Sequence, residues 1–223
     1  MMGWMLLAIV ATAVILVAFV LVTDGRYFGK RLTYRVYNRF GPAIFGARSE
    51  AGLWRELVEA LQLRGDESVL DVGTAVGDLP LTIAAMAGFH GRVTGVDWSP
   101  RMMATAQAEA GRRGLGDRAT FQVADVRAPL PFDAGQFDVV FCLGLLEALP
   151  HPERILRELK RVMAHEGTLV LSLYRGGAAW GVALSLDWYR EHLGALGLRD
   201  LQVVSCRRHH DVVIARSLPQ PQP

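Results

Sequence analysis

Residues 69 to 78, VLDVGTAVGD, place small and acidic residues at a spacing that can hold a nucleotide. Val69, Leu70 and Val72, with Asp71 among them, run into Gly73, Ala75 and Gly77, and a second acidic residue, Asp78, follows. A glycine-rich turn between a strand and a helix lets the backbone approach a ligand closely, and the helix N-terminus behind it attracts negative charge. Two chemistries compete for this pattern. A dinucleotide loop, G-x-G-x-x-G, would put Ala75 at its second glycine and Asp78 at its third, where helix and strand pack and pyrophosphate sits. An acidic side chain there opposes a diphosphate. The alternative spacing, D-x-G-x-G-x-G, is met by Asp71, Gly73, Ala75 and Gly77, and it wraps a ligand without phosphates. Two further carboxylates end apolar runs downstream: Asp97 closes RVTGVD, with Trp98 after it, and Asp125 closes ATFQVAD.

These residues need a scaffold, and the alternation of the chain supplies one. SVLDVG (68–73), RVTGVD (92–97), ATFQVAD (119–125), FDVVFCL (137–143) and TLVLSLY (168–174) have the continuous apolar character of strands covered on both faces. Helical patterns separate several of them: 79–87 ends before Gly88, a helix begins at Ser99-Pro100 and runs to 113, and another covers 152–164 before the turn at Gly167. Ser99 caps the second of these, and Pro100 takes a first-turn position where its missing N–H costs nothing. Strand and helix in repeated alternation mean parallel βαβ units. The ending differs. After a helix over 187–196, LQVVSC (201–206) and DVVIAR (211–216) stand too close for parallel neighbours and form an antiparallel hairpin. The expected architecture is α/β, a seven-stranded, mostly parallel sheet closed by that hairpin.

At this point the sequence resembles the class I S-adenosylmethionine-dependent methyltransferases, in order over residues 50–217. VLDVGTAVGD is similar to their first motif, GVDWSPRMMATA (95–106) to the second and VADVRAPLPFD (123–133) to the third. FDVVFCLGLLEAL and LRELKRVMAHEGTLVLSLY resemble the fourth strand, its helix and the fifth strand. The LPF run and LPHP (149–152) are most similar to the subgroup containing quinone C-methyltransferases and related small-molecule enzymes. The resemblance implies a Rossmann-like fold and S-adenosyl-L-methionine as cofactor. It assigns the ribose hydroxyls to Asp97, the adenine lining to Trp98, the adenine amino group to Asp125, and adds Val126 and Leu143 to the cofactor set. The residue types suit these roles. Neighbouring hydroxyls are donors that a carboxylate accepts as charge-assisted bonds, and Asp71 and Asp78 favour the sulfonium and ammonium charges.

On the acceptor side, ligands of open α/β sheets bind beyond the carboxyl ends of the strands. Glu147, His151 and Tyr174 fall there as candidate bases, needed only where the acceptor must lose a proton. Two of them have a plainer reading: Glu147 as a solvated charge at a helix start, His151 as a loop residue. His209 and His210 fall in the hairpin turn and read as surface. RGGAAWGVAL (175–184) could wall an apolar acceptor pocket or touch a bilayer.

The N-terminal end carries a separate message. Residues 4–22 are almost wholly apolar and 1–23 hold no charge, which suits a membrane-crossing helix of roughly 20 residues. A cleaved signal would want a basic start and a small-x-small site. Arg26, Lys30, Arg31, Arg35 and Arg39 follow the run, so the positive-inside rule places the rest in the cytoplasm. The expected division is an anchor over 1–23, a basic aromatic segment over 24–50, a methyltransferase domain over 51–217 and a disordered tail over 218–223. Tyr34 and Tyr37 are either lid residues over the cofactor or juxtamembrane contacts. A net charge of +2 implies no nucleic-acid partner, and the 2 cysteines, Cys142 and Cys206, lie in apolar runs as reduced core residues without the company a metal needs. The sequence therefore points to methyl transfer onto a small or lipid acceptor at the membrane. Its alternative is a non-catalytic S-adenosylmethionine-binding membrane protein that keeps the fold, and a nicotinamide-dependent reductase is a third reading.

Overall fold

The computed structural model describes residues 11–12, 15–16, 30–46, 51–174, 184–205 and 210–217. The chain divides into two compact units, Met1–Arg48 and Ser49–Pro223. In the first, residues 11–12 and 15–16 are helical, while the rest of the apolar run, where the anchor is expected, lies outside the described residues. Among the described residues no helix is long and apolar enough to cross a membrane.

The 24–50 segment, expected as a juxtamembrane or lid segment with no element assigned to it, holds a helix, α1 (Lys30–Gly46). Its register explains why. Arg31, Arg35 and Arg39 recur at four-residue spacing along one face, and Val36, Phe40 and Ile44 along another, the arrangement of an amphipathic helix. The helix contains no acidic residue and carries Pro42 inside it. Within this unit the Tyr37 and Phe45 rings meet at 5.7 Å, and the Arg39 guanidinium lies 5.4 Å from the Phe40 ring centre.

The second unit opens with α2 (Ala51–Leu61) and continues β1 (Ser68–Val72), α3 (Asp78–Ala84), β2 (Arg92–Asp97), α4 (Pro100–Arg112), β3 (Ala119–Val123) and β4 (Phe137–Cys142). A 3-10 turn (Leu146–Ala148), α5 (Pro152–Val162), β5 (Met163–Tyr174), α6 (Leu186–Ala195), β6 (Leu198–Ser205) and β7 (His210–Ser217) complete it. The strands form one 7-stranded sheet in the order β3-β2-β1-β4-β5-β7-β6. Pairs among β3, β2, β1, β4 and β5 are parallel, and β7 runs antiparallel to both β5 and β6. The expected sheet and closing hairpin are both present.

Alternate strand residues feed opposite layers, as the period of a strand requires. Leu70, Val72, Val140 and Cys142 pack with Ile155, Leu156 and Leu159 of α5 and Tyr189 and Leu193 of α6. Val69, Val139 and Phe141 pack with Leu57 and Val58 of α2 and Leu81 and Ile83 of α3. The ends of several elements differ from expectation. β4 stops at Cys142, which leaves Leu143 in the following turn, and α5 stops at Val162 because β5 starts early. That early start follows from a register shift in which Phe137 faces Met163 and Val139 faces Thr168. Gly167 makes it possible: a Cβ there would lie 2.6 Å from Met163 Cγ and 2.9 Å from the Asp138 carbonyl oxygen. Cys206, His209 and the segments 175–183 and 218–223 lie outside the described residues.

The order places the site. The chain leaves β1 toward β2 on one side and β4 toward β5 on the other, so a crevice opens between the carboxyl ends of β1 and β4. α5 anchors this half, with Leu159 0% exposed. Replacing Leu159 by Ala is expected to cost about 2–5 kcal/mol of unfolding free energy in urea titrations. Arg157→Ala on the exposed face of the same helix should change it by less than about 0.5 kcal/mol.

Candidate active site

The loop after β1 is bound to the end of β2 by its own amides. The Gly73 and Thr74 N–H groups both donate to the Val96 carbonyl, at 2.8 and 3.0 Å, and the Gly77 N–H donates to the Thr74 carbonyl at 2.9 Å. The Ala75 N–H donates to Asp97 Oδ2 at 3.2 Å, while Asp97 Oδ1 accepts from the Ser99 N–H at 2.9 Å. A pyrophosphate site needs loop amides turned toward the ligand. Here the amides of Gly73, Thr74, Ala75 and Gly77 are already spent inside the fold, and an acidic residue, Asp78, opens α3. The loop is not a diphosphate cradle.

Its backbone explains its glycines. Gly73 and Gly77 both have φ +82, and a Cβ at Gly77 would come within 2.6 Å of the Phe121 ring and 2.9 Å of Ala106 Cβ. Ala75 also adopts a left-handed backbone, φ 50, a conformation that favours glycine. The extra methyl therefore costs strain rather than closing the loop.

Asp97 is 4% exposed, at the end of β2. An ionised carboxylate has about four acceptor sites, so holding the loop is compatible with accepting from ribose hydroxyls. Trp98 beside it is half-buried. Asp71 sits under the loop, 5% exposed. Burial pushes its carboxyl up from 3.8 to about 7. The neighbouring Thr74 hydroxyl pulls the other way, though it makes no hydrogen bond of good geometry, and the Asp97 charge adds to the rise. Asp125 follows β3 and is paired with Arg127, whose Nε lies 2.8 Å from Oδ1 and whose terminal nitrogen lies 2.6 Å from Oδ2. Val126 behind it is buried, and Leu143 is half-buried in the turn after β4. The predicted cofactor residues thus come from the carboxyl ends of β1, β2, β3 and β4, along one edge of the sheet.

The predicted acceptor residues divide. Tyr174, at the end of β5, is 41% exposed, and its hydroxyl would lie 3.2 Å from a Cβ on Gly144. Glu147 is neither a solvated charge nor an open base. It is 6% exposed and accepts from the Ser172 hydroxyl at 2.8 Å. Burial raises its carboxyl, against the hydrogen bonds from its own backbone N–H, Ser172 and Tyr189. His151 caps α5 with φ 57, its side chain is 70% exposed, and it pairs with Glu153 at 3.5 Å. None of its described contacts reaches another site residue. Cys142 is buried, and burial with the nearby Glu147 and Asp71 charges pushes its thiol well up, so it is an inert core residue. Among the described residues no cluster could hold a metal ion.

Residues 69–167 match a family described as a methyltransferase domain. The match, with the relatives and the structure that follow, supports a class I S-adenosylmethionine-dependent methyltransferase. The demethylmenaquinone methyltransferase of Thermus thermophilus is 38% identical over 119 residues, 53% of this chain and 52% of that protein. The ubiquinone biosynthesis O-methyltransferase of Psychrobacter arcticus is 37% identical over 106 residues, 48% of this chain and 40% of that protein. The chain thus spans about half or less of the length of these relatives. The crystal structure of a methyltransferase from Aquifex aeolicus superimposes with a TM-score of 0.64, at 22% identity over 74% of this chain and 89% of that one, a likeness in fold. The cofactor of this family is S-adenosyl-L-methionine, and the site suits it. The loop amides are turned inward, no Lys or Arg stands in the loop, and the Asp97 carboxylate ends β2.

Two outcomes are expected of this loop. Ala75→Gly should relieve a left-handed cost of roughly 1–2 kcal/mol and lose part of it to the freer unfolded chain, for a net gain below about 1 kcal/mol. Ala75→Val, β-branched at the same φ, should lose about 1–3 kcal/mol in the same urea titrations. Asp71 holds its proton more tightly folded than unfolded, so the folded state binds more protons between about pH 4 and about pH 7 and stability falls as pH rises through that window. Asp71→Asn should flatten this fall in urea midpoints measured across it. Parallel pH profiles for wild type and variant would show that Asp71 does not carry the effect.

Proposed function

We propose that this chain transfers the methyl group of S-adenosylmethionine to a small, lipophilic acceptor, a quinone-type ring or a lipid headgroup, at the cytoplasmic face of a membrane. The observation that carries the cofactor half is the loop amide set bound to Val96 and Asp97, which leaves a carboxylate where a ribose would need one. When bound, the cofactor supplies an electrophilic methyl group on a positively charged sulfur. The chain's part is to hold donor and acceptor at reacting distance and to exclude water. Asp97 accepts from the ribose, and Trp98 and Val126 flank the adenine. Asp125, already paired with Arg127, offers its remaining acceptor capacity to the adenine amino group. Asp78 lends negative potential to a cation, and Asp71, which holds a proton to about pH 7, adds to it only as it ionises. Tyr174, exposed at the end of β5, would serve as a relay, accepting an acceptor proton on its oxygen as it passes its own to water.

The acceptor half rests on the N-terminal unit. An uncharged apolar run over 4–22 precedes a helix with Arg35 and Arg39 exposed, Phe40 44% exposed and no acidic residue. Basic residues near an anionic bilayer add about 1 kcal/mol each to binding, and aromatic residues mixed with arginine favour the interface. This supports the run as an anchor and the helix as its juxtamembrane continuation. The quinone-related names of the relatives support the acceptor class.

The test is labelled-methyl transfer from the full chain into a membrane extract, with mass identification of the product. Label is expected in the lipid-soluble fraction. Label only in water-soluble product contradicts the lipophilic acceptor, and cofactor binding without any transfer favours the non-catalytic reading. Asp97→Ala removes a charged acceptor of two hydrogen bonds and should weaken S-adenosylhomocysteine by at least about a hundredfold, abolishing the label while a thermal melt confirms that the variant folds.

A further inference from the structure

On the wall of the crevice opposite the glycine loop, a chain of hydrogen bonds runs inward from the turn after β4. The Gly144 N–H donates to Ser172 Oγ at 2.8 Å. The Ser172 hydroxyl in turn donates to the Glu147 carboxylate, 2.8 Å from Oε1 and 3.1 Å from Oε2. The Tyr189 hydroxyl donates to the Ser172 carbonyl at 2.9 Å and lies 3.5 Å from Glu147 Oε1. Glu147, Ser172 and Tyr189 are 6%, 3% and 0% exposed. A buried carboxyl is costly, and a leucine would fill the space among these apolar neighbours at lower cost.

The order of the bonds indicates what the carboxyl does. A hydroxyl has one proton and can aim it at only one region. Glu147 draws that proton, which turns the lone pairs of Ser172 toward the Gly144 N–H. Gly144, with φ +70, is thereby held, and the next residue bears on the cofactor loop: a Cβ at Gly73 would lie only 2.8 Å from Leu145 Cδ2. The network therefore reaches the glycine loop through one turn, Leu143–Leu145.

We propose that Glu147 is a positioning residue for cofactor binding, acting through Ser172 and Gly144 to press the turn Leu143–Leu145 against the Gly73 loop. The proposal rests on the reading that this loop holds S-adenosylmethionine. It gives Glu147 a role that needs no contact with the acceptor, and it gives Ser172, a polar residue in an apolar strand, a reason to be there. Glutamine should serve nearly as well as glutamate, because its carbonyl can accept from Ser172 while its amide donates to the Tyr189 oxygen.

Titration calorimetry with S-adenosylhomocysteine tests this without knowing the acceptor. The full chain, Glu147→Gln, Glu147→Leu, Ser172→Ala and the Glu147→Leu/Ser172→Ala double variant are compared, each with a thermal melt. Glu147→Leu and Ser172→Ala should each raise the Kd about tenfold. The double variant should bind no worse than the weaker single, because the two act in series. Glu147→Gln should stay within about threefold of wild type. Wild-type affinity in Glu147→Leu, equal losses in Glu147→Gln and Glu147→Leu, or additive losses in the double variant would each overturn the proposal. Should Glu147→Leu fail to fold, Ser172→Ala decides alone, through its tenfold loss or its absence. A wild-type chain that binds no S-adenosylhomocysteine overturns the cofactor reading and this proposal with it.

Discussion

The carboxyl end of β2 holds the site together. Val96 offers one carbonyl to two loop amides, and Asp97 offers one carboxylate oxygen to a third. Those bonds fold the Gly73–Gly77 loop back over the sheet edge and turn its N–H groups away from any phosphate. Everything else in the site takes its position from this closure. Gly77 must lack a Cβ because the closed loop presses it on Phe121, and Gly73 must lack one because Leu145 comes in from the β4 side. Asp71 is sealed underneath, which is why its carboxyl holds a proton to about pH 7.

The closure also separates two kinds of nucleotide protein that share a strand, a glycine turn and a helix. A dinucleotide site uses its loop amides on the ligand. This loop uses them on itself and leaves recognition to side chains at the strand ends. On the function proposed above, selectivity depends on the Asp97 and Asp78 carboxylates, whose charge favours a positively charged sulfur ligand over a diphosphate. The crevice has two walls built on different principles, one from backbone bonds to β2 and the other from the buried Glu147–Ser172–Tyr189 network. Leu145 is where they meet.

The scaffold was open to reading because each strand is an uninterrupted apolar run and each crossover a helical period, so the sheet and the hairpin followed from patterns a few residues long. The carboxylates that the resemblance assigns to the cofactor stood out for a related reason: Asp71, Asp97 and Asp125 lie on or just past apolar strands, where a charge is costly to bury. The rest needed contacts between residues far apart in sequence. Ser172 looked like one polar residue in TLVLSLY, and only the distance across 25 positions to Glu147 makes it part of the site. Tyr189 lies 42 positions from Glu147, in a helix whose residues carry no site signal of their own. His151 stood out because a histidine between Leu-Pro and Pro is chemically versatile; in the fold its side chain is 70% exposed and lies beside Glu153. The early start of β5 was hidden because the Met163–Gly167 stretch carries no strand signal of its own and is recruited by pairing with Phe137. The helix α1 was missed because Gly41 and Pro42 interrupt an otherwise amphipathic period.

The central claim is that this loop and Asp97 select a phosphate-free adenosine ligand, and one binding measurement addresses it directly. Purified full-length chain is titrated by calorimetry with S-adenosylhomocysteine and, separately, with NADH. The expected result is saturable, one-to-one binding of S-adenosylhomocysteine and no detectable heat with NADH. Tight NADH binding without S-adenosylhomocysteine binding would contradict the account, because loop amides bound to Val96 and Asp97 cannot also cradle a pyrophosphate.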